Sequence, residues 1–313
     1  MNLPPVTIGL PFFNAESTLL DAVRSVFCQS HSDWELILLD DGSTDRSLEI
    51  AKSIADPRVR VYSDGKNKRL AARLNEIANL ARYDYIARMD ADDMMRRHRI
   101  ELQLKTLMAQ EHIDLVSGGV VSVSDDWSPT GVRQVSPGHQ FVGRDLLHAR
   151  SGIVHAAVLA RKEWTLRNRY DETVRVGQDT DLWVRAYAKG DLRACVLSDL
   201  LYYYREDGNV TYSKYKEAHR FLRRTLIGNP TGYKNTDRIL AYFSSLAKSN
   251  IAYWLNCVDA MHLLRHRRNA IPLTKEEHDS FVKEIGEIRG FQIPARDAAS
   301  LAMAGMDRAH CSE

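Results

Sequence analysis

The 313-residue sequence has little cysteine and no long apolar stretch, and both absences exclude classes of protein. Its four cysteines form no CxxC pair, so neither a zinc site nor a disulfide scaffold is expected, and reduced thiols in a cytosolic protein fit better. No apolar run approaches the roughly 18 residues that a membrane-spanning helix needs. The amino terminus lacks the basic and apolar regions of a signal peptide, so we expect a cytoplasmic location.

Glycine-rich phosphate-binding loops are also missing. No GxGxxG follows the first predicted strand and no GxxxxGKS/T occurs anywhere, which disfavours dinucleotide oxidoreductases and P-loop enzymes. If the protein binds phosphate, a metal ion and side chains must hold it.

A large net charge is absent as well, since 43 Lys+Arg against 41 Asp+Glu give +2. Residues 214–313 carry 16 basic and 11 acidic side chains, an excess of +5, which leaves −3 for residues 1–213. So mild a basic excess does not indicate nucleic-acid binding. A hydrophobic fraction of 44% with 27% charged residues is typical of a globular protein and excludes intrinsic disorder.

The first hundred residues alternate short apolar runs with helical segments. Strands are predicted at 6–10, 35–39, 59–62 and 85–89, and helices at 17–27, 47–54 and 70–80. This β-α repetition predicts an α/β fold with a mostly parallel sheet that carries helices on both faces.

The remainder of the chain divides into a mixed part and a helical part. Strands are expected at 115–123 and within 193–204, a hairpin within 125–138, and helices at 97–110 and 180–188. After Tyr215 the sequence predicts only helices, at 217–227, 237–264 and 275–288. We therefore predict one domain over residues 1–213 and a helical carboxyl-terminal region over residues 214–313.

Three of the four predicted strands in the first hundred residues end in polar clusters. Asn14 follows the first, Asp40-Asp41 the second, and residues 90–93 (DADD) the fourth. Each cluster could be no more than a turn, because Asp, Gly and Ser favour turns. Parallel strands present their carboxyl ends at one edge, however, where such sheets bind ligands, so the three clusters are expected to share a crevice.

The DADD cluster places three carboxylates within four residues. Their repulsion is costly unless a cation or hydrogen-bond donors compensate it, and Mg²⁺ prefers such oxygen ligands together with substrate phosphates. A metal held there could clamp a diphosphate as it leaves, with Lys66, Lys68 and Arg69 as further phosphate ligands. Taken alone this signal is weak, since solvated acidic turns are common.

Four segments together resemble the family 2 glycosyltransferases of GT-A fold. They are residues 6–16 (VTIGLPFFNAE), 40–45 (DDGSTD), 90–93 (DADD) and 178–185 (QDTDLWVR), and the resemblance extends over about residues 5–213. It implies a Rossmann-like, mostly parallel sheet in a nucleotide-sugar-binding and catalytic domain. Each motif alone is modest, but the order and spacing of the four are specific.

The resemblance also implies roles for individual residues. The implied nucleotide-sugar-binding residues are Pro11, Phe13, Asn14, Asp41, Arg69, Asp90, Ala91 and Asp92. Asp41 would accept a hydrogen bond from uracil, and Arg69 would contact uracil or phosphate. Asp90 would meet the ribose or the donor sugar, and Asp92 would bind the metal, Mn²⁺ or Mg²⁺, directly.

By the same resemblance, Asp179 is the expected general base. Asp179 could equally cap the helix predicted from Thr180, which leaves Asp181 as the rival candidate for the base. His155, Asp181 and Arg205 are implied contacts of the acceptor or the phosphates. The alternatives are a core position for the histidine and a surface salt bridge for the arginine.

The implied reaction is an inverting, metal-dependent transfer of a hexose to a saccharide. The donor would be UDP-glucose, UDP-galactose or an N-acetyl derivative, and the acceptor would be carried on polyprenyl diphosphate during O-antigen, capsule or exopolysaccharide assembly in bacteria. Asp92 and Asp179 would then flank the same scissile bond. Two alternatives are a sugar nucleotidyltransferase, which usually has a glycine-rich loop after its first strand, and a non-catalytic nucleotide-sugar-binding module.

The predicted carboxyl-terminal helices carry basic groups at 219–224 and 265–268. Apolar and aromatic residues lie nearby in the sequence: Leu222, Leu226, Tyr253, Trp254, Leu263 and Leu264. Such helices can lie on an anionic membrane, here the inner face of the cytoplasmic membrane. They can equally pack on the sheet domain and present a solvated basic side.

Overall fold

The architecture is a single mixed sheet with helices on both faces, seen in a computed structural model that describes residues 3–148, 151–206, 212–228, 232–260 and 271–295. The first half of the chain forms β1 (Val6–Phe12), α1 (Leu19–Phe27), β2 (Trp34–Asp40), α2 (Ser47–Lys52), β3 (Val59–Ser63), α3 (Arg69–Leu80) and β4 (Tyr85–Arg88). The strands and helices predicted there are confirmed to within two residues.

The described residues of the second half add further strands and six helices. These are β5 (Met94–Met95), α4 (Arg99–Ala109), β6 (Leu115–Val123), β7 (Pro129–Arg133), β8 (Leu159–Arg161), α5 (Lys162–Arg167), α6 (Gln178–Ala188), β9 (Ala194–Arg205), α7 (Tyr212–Ile227), α8 (Asn235–Cys257) and α9 (Lys275–Gly290). Short 3₁₀ turns occupy Gly143–His148 and His155–Ala157. The predicted hairpin is formed by β6 and β7.

The strand order is β3-β2-β1-β4-β8-β6-β9-β5, with β7 paired to β6. The pairs β1–β2, β1–β4, β2–β3 and β6–β9 are parallel. Strand β8 is antiparallel to both of its neighbours, β4 and β6. Since β5 and β7 are also antiparallel to their partners, six of the nine strands run in one direction. The predicted mostly parallel sheet is confirmed.

The central strands are apolar on both faces because helices cover both sides. In β2, Leu36 and Leu38 join the core cluster that contains α1 and α4. Ile37 and Leu39 join the opposite cluster with Ile77 of α3. Burial of each such side chain contributes about 1.5–3 kcal/mol to folding.

The helices after residue 213 pack on two different parts of the sheet domain. Leu222 and Leu226 of α7 are buried in the cluster that contains Trp164 and Trp183. The apolar face of α9 packs instead against the β5–β9 side, where Glu284 pairs with Arg96 at 2.6 Å. The Tyr203 hydroxyl donates to the same carboxylate over 2.9 Å. The boundary between residues 213 and 214 stays a prediction.

Three short elements were not predicted, β5, β8 and α5. They contain two, three and six residues, too few for a hydrophobic period to be recognised. The helix predicted over 237–264 ends earlier, at Cys257, and Asp259 adopts a left-handed φ of 53° that stops it. Residues 261–264 lie outside the described residues.

Two expectations from the sequence concern features that it lacks, namely paired cysteines and a membrane-spanning helix. Cys28, Cys195 and Cys257 are free thiols, and Cys311 lies outside the described residues. Among the described helices, none combines the length and the apolar character needed to cross a bilayer.

Candidate active site

The ends of β1 and β2 are joined by hydrogen bonds between their loops. The Asn14 side-chain oxygen accepts the Thr44 amide at 2.8 Å, and the Asn14 amide donates to the Ser43 hydroxyl at 3.1 Å. The Glu16 amide donates to Asp45 at 3.0 Å. Asn14 itself has a left-handed φ of 48°, a strained conformation that these bonds hold in place.

A cavity of about 400 Å³ opens beside these loops. Six of the eight predicted nucleotide-sugar-binding residues line it, namely Pro11, Phe13, Asn14, Asp90, Ala91 and Asp92. Asp125 and Arg205 line it as well. The polar clusters after β1 and β4 therefore meet at this cavity, which we call the first cavity.

Asp41 does not line the first cavity but fixes the start of α3. Its Oδ1 accepts the Lys68 amide at 2.7 Å and the Nε of the buried Arg73 at 2.8 Å, while Oδ2 accepts the Arg69 amide at 3.0 Å. Arg69 is exposed and has a left-handed φ of 73°. The predicted roles of Asp41 and Arg69 in uracil or phosphate binding remain predictions.

The Asp90, Asp92 and Asp93 carboxylates come together beside the first cavity, which Asp90 and Asp92 line, with one oxygen of each within 4.8 Å of the others. Asp93 is buried, and this burial, followed by the charges of Asp92 and Asp90, raises the pKa of Asp93 well above its usual range. The pKa of Asp92, whose side chain opens to solvent, is also raised, first by loss of water around the carboxylate and then by Asp90. Such crowding of negative charge suits a cation.

Arg88 supplies the compensating positive charge, and sequence reasoning missed it. Its Nη2 donates to Asp90 Oδ1 at 2.6 Å, and only 8% of its side chain is exposed. Its Nε and Nη1 are buried without a hydrogen-bond partner in the described part of the chain. Burial opposes its charge, yet the pKa of Arg88 is raised by Asp90, by two tyrosines and by Asp179. An arginine inside an otherwise apolar strand, two residues before an acidic cluster, was the available signal.

Asp179 and Asp181 have different environments. Asp179 is half-buried and lines a second cavity of about 540 Å³, together with Thr180 and Trp183. Asp181 is buried and accepts a hydrogen bond from Arg185 Nε at 2.7 Å, one turn along α6. Of the two rival candidates for the base, Asp179 is the one that lines a cavity.

The interpretation of Asp179 as a helix cap is wrong. Helix α6 begins at Gln178, and the cap position is Gly177 with a left-handed φ of 82°. Asp179 is therefore the second residue of the helix. The predicted start at Thr180 was late because Gln178 and Asp179 are polar and contribute nothing to the apolar period.

His155 lines neither cavity. Its Nε2 lies 2.7 Å from the Tyr170 hydroxyl, and its ring meets Trp183 edge to face at a centroid distance of 6.0 Å. Burial and then the Arg88 charge hold the pKa of His155 well below its usual range, so the ring is neutral at neutral pH. These contacts agree with the alternative of a partnered core histidine, and a role toward the acceptor remains a prediction.

Arg205 closes one side of the first cavity. Its guanidinium pairs with Asp125 and lies 5.3 Å from the ring centroid of Trp127, and its backbone amide donates to Asp93 at 2.8 Å. The salt bridge that the sequence suggested as an alternative is present, and it lies at the cavity.

Asp92 and Asp179 thus line two different cavities, whereas the sequence led us to expect a common one. Both sites influence two buried groups: after the effect of burial, the charges of Asp90 and Asp179 raise the pKa of Arg88 and the pKa of the Tyr170 hydroxyl. The geometry agrees, since Arg88 and Trp183 line one small cavity and Trp183 also lines the second cavity with Asp179.

Comparisons with known proteins agree on one family. The model of Glycosyl transferase family 2 matches residues 7–170. EpsE of Bacillus subtilis strain 168, named as a glycosyltransferase, is 35% identical over 213 residues, which are 66% of this chain and 74% of EpsE. TuaG of the same organism, named for teichuronic acid biosynthesis, is 35% identical over 107 residues, 34% of this chain and 42% of TuaG.

The fold agrees with a solved structure as well. The crystal structure of S. aureus TarS 1–349 in complex with UDP superposes with a TM-score of 0.59 over 91% of this chain and 80% of that one, at 16% identity. The predicted GT-A fold is confirmed. The family match also favours glycosyl transfer over the sugar nucleotidyltransferase alternative.

We expect Arg88 and Asp90 to be strongly coupled in stability. Arg88→Met should lower the free energy of unfolding by about 3 kcal/mol, because it removes the partner of Asp90 from a buried pair. Adding Asp90→Asn to that variant should lower the free energy of unfolding by much less than Asp90→Asn does in the wild type. Chemical denaturation of the four proteins gives the coupling, and additive losses would show that the pair does not organise the site.

Proposed function

The chain belongs to glycosyl transferase family 2, and from this membership we propose an inverting, metal-dependent transferase that moves a hexose from a UDP-sugar to a saccharide acceptor. The observation that carries the proposal is the grouping around Arg88, which pairs with Asp90 of the acidic cluster and lines a small cavity with Trp183, a residue that also lines the second cavity beside Asp179. Inverting transfer requires a base for the acceptor hydroxyl and neutralisation of the leaving diphosphate. Asp179 would be the base, and a cation at the acidic cluster would neutralise the diphosphate.

The donor is proposed to occupy the first cavity. Its volume of about 400 Å³ falls within the range of about 300–1,000 Å³ typical of small-molecule sites. Crystal structures of S. aureus TarS contain UDP and UDP-GlcNAc, which supports a UDP-sugar donor for a chain of the same fold. UDP-glucose, UDP-galactose and their N-acetyl derivatives are the candidates.

A divalent cation fits the acidic cluster. Asp92 opens to the cavity, and Asp93 Oδ2 is a buried oxygen without a hydrogen-bond partner among the described residues. Carboxylate oxygens suit Mg²⁺ or Mn²⁺, and we assign Asp92 as the direct ligand. When bound, the ion would neutralise charge on the diphosphate.

Asp179 is proposed to accept the proton of the acceptor hydroxyl. The deprotonated oxygen then forms a bond to the anomeric carbon of the donor sugar from the face opposite the diphosphate. The bond from that carbon to the phosphate oxygen breaks, UDP departs with the electron pair, and the configuration inverts. Asp181 is unsuited to this role because it is held by Arg185.

The acceptor is proposed to be a saccharide carried on polyprenyl diphosphate. EpsE and TuaG come from a bacterium, and the name of TuaG refers to a cell-surface polymer, which supports a role in O-antigen, capsule or exopolysaccharide assembly. A lipid-linked acceptor would bring the enzyme to the inner face of the cytoplasmic membrane.

Membrane contact is proposed through α8 and not through α7. Leu222 and Leu226, which the sequence suggested as membrane contacts, are buried in the core. Helix α8 and its cap residue instead expose an apolar stripe with spacings of three or four residues, formed by Leu240, Phe243, Ala247, Ile251, Trp254 and the cap Val258. The sequence over residues 238–275 contains six Lys+Arg and one acidic residue, a composition that favours attraction to anionic lipid.

Asp179→Asn should reduce transfer by at least about 100-fold, because a positioned base contributes that much or more. UDP binding should be unchanged, since Asp179 lies outside the first cavity. Asp181→Asn is the matched control, and it should lower thermal stability through loss of the Arg185 pair while transfer persists. Undiminished transfer by Asp179→Asn would reassign the base.

Metal dependence can be measured through UDP release from UDP-glucose, UDP-galactose, UDP-GlcNAc and UDP-GalNAc. EDTA should abolish release, and Mn²⁺ or Mg²⁺ should restore it. Asp92→Asn should raise the metal concentration for half-maximal rate by about tenfold or more, through loss of one ligand. Full activity in EDTA would contradict a metal-dependent mechanism.

Flotation with phosphatidylglycerol vesicles tests the α8 stripe. The wild-type protein should float with these vesicles, whereas Phe243→Ser/Trp254→Ser should remain at the bottom of the gradient. Met108→Ser/Leu166→Ser, which alters exposed apolar residues on other helices, is the control and should still float. A wild-type protein that does not float but dimerises through the stripe would contradict membrane contact.

A further inference from the structure

A basic groove lies between the segment 173–176 and helix α7. It encloses about 490 Å³ and is lined by four cationic side chains and one acid: Arg175, Lys216, Arg220, Arg224 and Glu217. Lys216, Arg220 and Arg224 are spaced four residues apart, so they project from one face of α7 toward the 173–176 segment. We call this feature the α7 groove.

Among the described residues, the three arginines of the α7 groove lack the hydrogen-bond partners that other arginines of α7 and α8 have, and Lys216 lies 5.8 Å from the ring centroid of Tyr212. Arg223 donates to the Ser245 and Ser249 hydroxyls at 3.1 and 2.9 Å, and Arg238 donates to the Leu226 carbonyl at 3.2 Å. In contrast, none of the four groove cations forms a salt bridge with another described residue, and Arg220 and Arg224 are exposed.

Four positive charges around one groove repel each other, and like charges four residues apart destabilise a helix. One acid, Glu217, offsets only part of this charge. A bound anion would remove the repulsion, and arginine side chains suit phosphate because they donate two parallel hydrogen bonds. The composition of the groove therefore favours a phosphate or diphosphate ligand.

The α7 groove lies next to the start of α6. Val176 lines the groove, Gly177 precedes the helix, and Asp179 lies three residues from Val176, which an extended chain spans in at most about 11 Å. A Cβ atom placed on Gly177 would lie 3.4 Å from Phe221, another groove residue, so α7 abuts the start of α6. A phosphate in the groove would be close to the proposed base.

We infer that the α7 groove binds the phosphate or diphosphate of the acceptor and thereby directs the acceptor hydroxyl toward Asp179. The inference rests on the proposed function in one respect, the identity of the ligand as the acceptor. The head group of an anionic lipid offers the same chemistry. The position of the groove beside Asp179, and not along the α8 stripe, favours the acceptor.

Binding of inorganic pyrophosphate, measured by isothermal titration calorimetry in EDTA, tests the groove without relying on turnover. Arg175→Gln/Arg220→Gln/Arg224→Gln should weaken binding about tenfold or more, because three charge-assisted contacts are lost. Lys52→Gln/Lys105→Gln/Lys283→Gln removes three exposed charges from α2, α4 and α9, and it should bind as the wild type does. Equal affinities for all three proteins would overturn the inference.

Two further measurements separate the possible sources of phosphate. Flotation with phosphatidylglycerol vesicles should be the same for the groove variant and the wild type. Loss of flotation in that variant would assign the groove to lipid head groups and overturn its assignment to the acceptor. The rate of UDP release from donor alone should also be unchanged, because the first cavity is intact.

Failure of the proposed function would give a different result. If no UDP-sugar is turned over by the wild type, yet pyrophosphate binding depends on Arg175, Arg220 and Arg224, the groove is a phosphate site and only its link to glycosyl transfer is lost. If donor hydrolysis is normal and pyrophosphate binding does not depend on these arginines, the groove inference alone is wrong.

Discussion

The ion pair between Arg88 and Asp90 is the interaction on which the arrangement of the site depends. Three carboxylates crowd the turn after β4, and burial raises the pKa of Asp93 within it. Arg88 brings one positive charge to this turn from the end of the buried strand. Arg99, which is fully buried, donates to the Arg88 carbonyl at 2.8 Å and so fixes the strand end. Without Arg88 and Arg99, repulsion would drive the three carboxylates apart or favour their protonation. The turn would then offer no organised ligands to a cation.

The fold was largely predictable because its central strands are buried on both faces. A strand such as β2, with the sequence WELILLD, must be apolar on both faces along its centre, 36–39, when α1 and α3 lie on opposite sides of it, and such runs are easy to recognise. The strands β5 and β8 escaped prediction because two or three residues cannot show a period. Strand β5 is positioned by β9, and β8 is positioned by β4 and β6, which are all distant in sequence from the strand they pair with.

The lining of the first cavity was predictable where its residues follow strand ends, and the surroundings of the candidate site were much less so elsewhere. Six of eight predicted donor contacts line the first cavity, because parallel strands bring their ends to one edge. Asp41 shows the limit of this rule, since its carboxylate is occupied by the Lys68 and Arg69 amides and by Arg73. Arg88 could not be inferred from periodicity, because its importance arises from its contact with Asp90 and from the small cavity that it lines with Trp183.

The central claim is that the acidic turn and the start of α6 serve one reaction centre. A crystal structure with Mn²⁺ and UDP, with the metal located by anomalous scattering, tests it most directly. The account predicts a manganese peak beside Asp92, with the diphosphate between that ion and Asp179. A metal bound elsewhere, or a diphosphate on the far side of the sheet from Asp179, would contradict it.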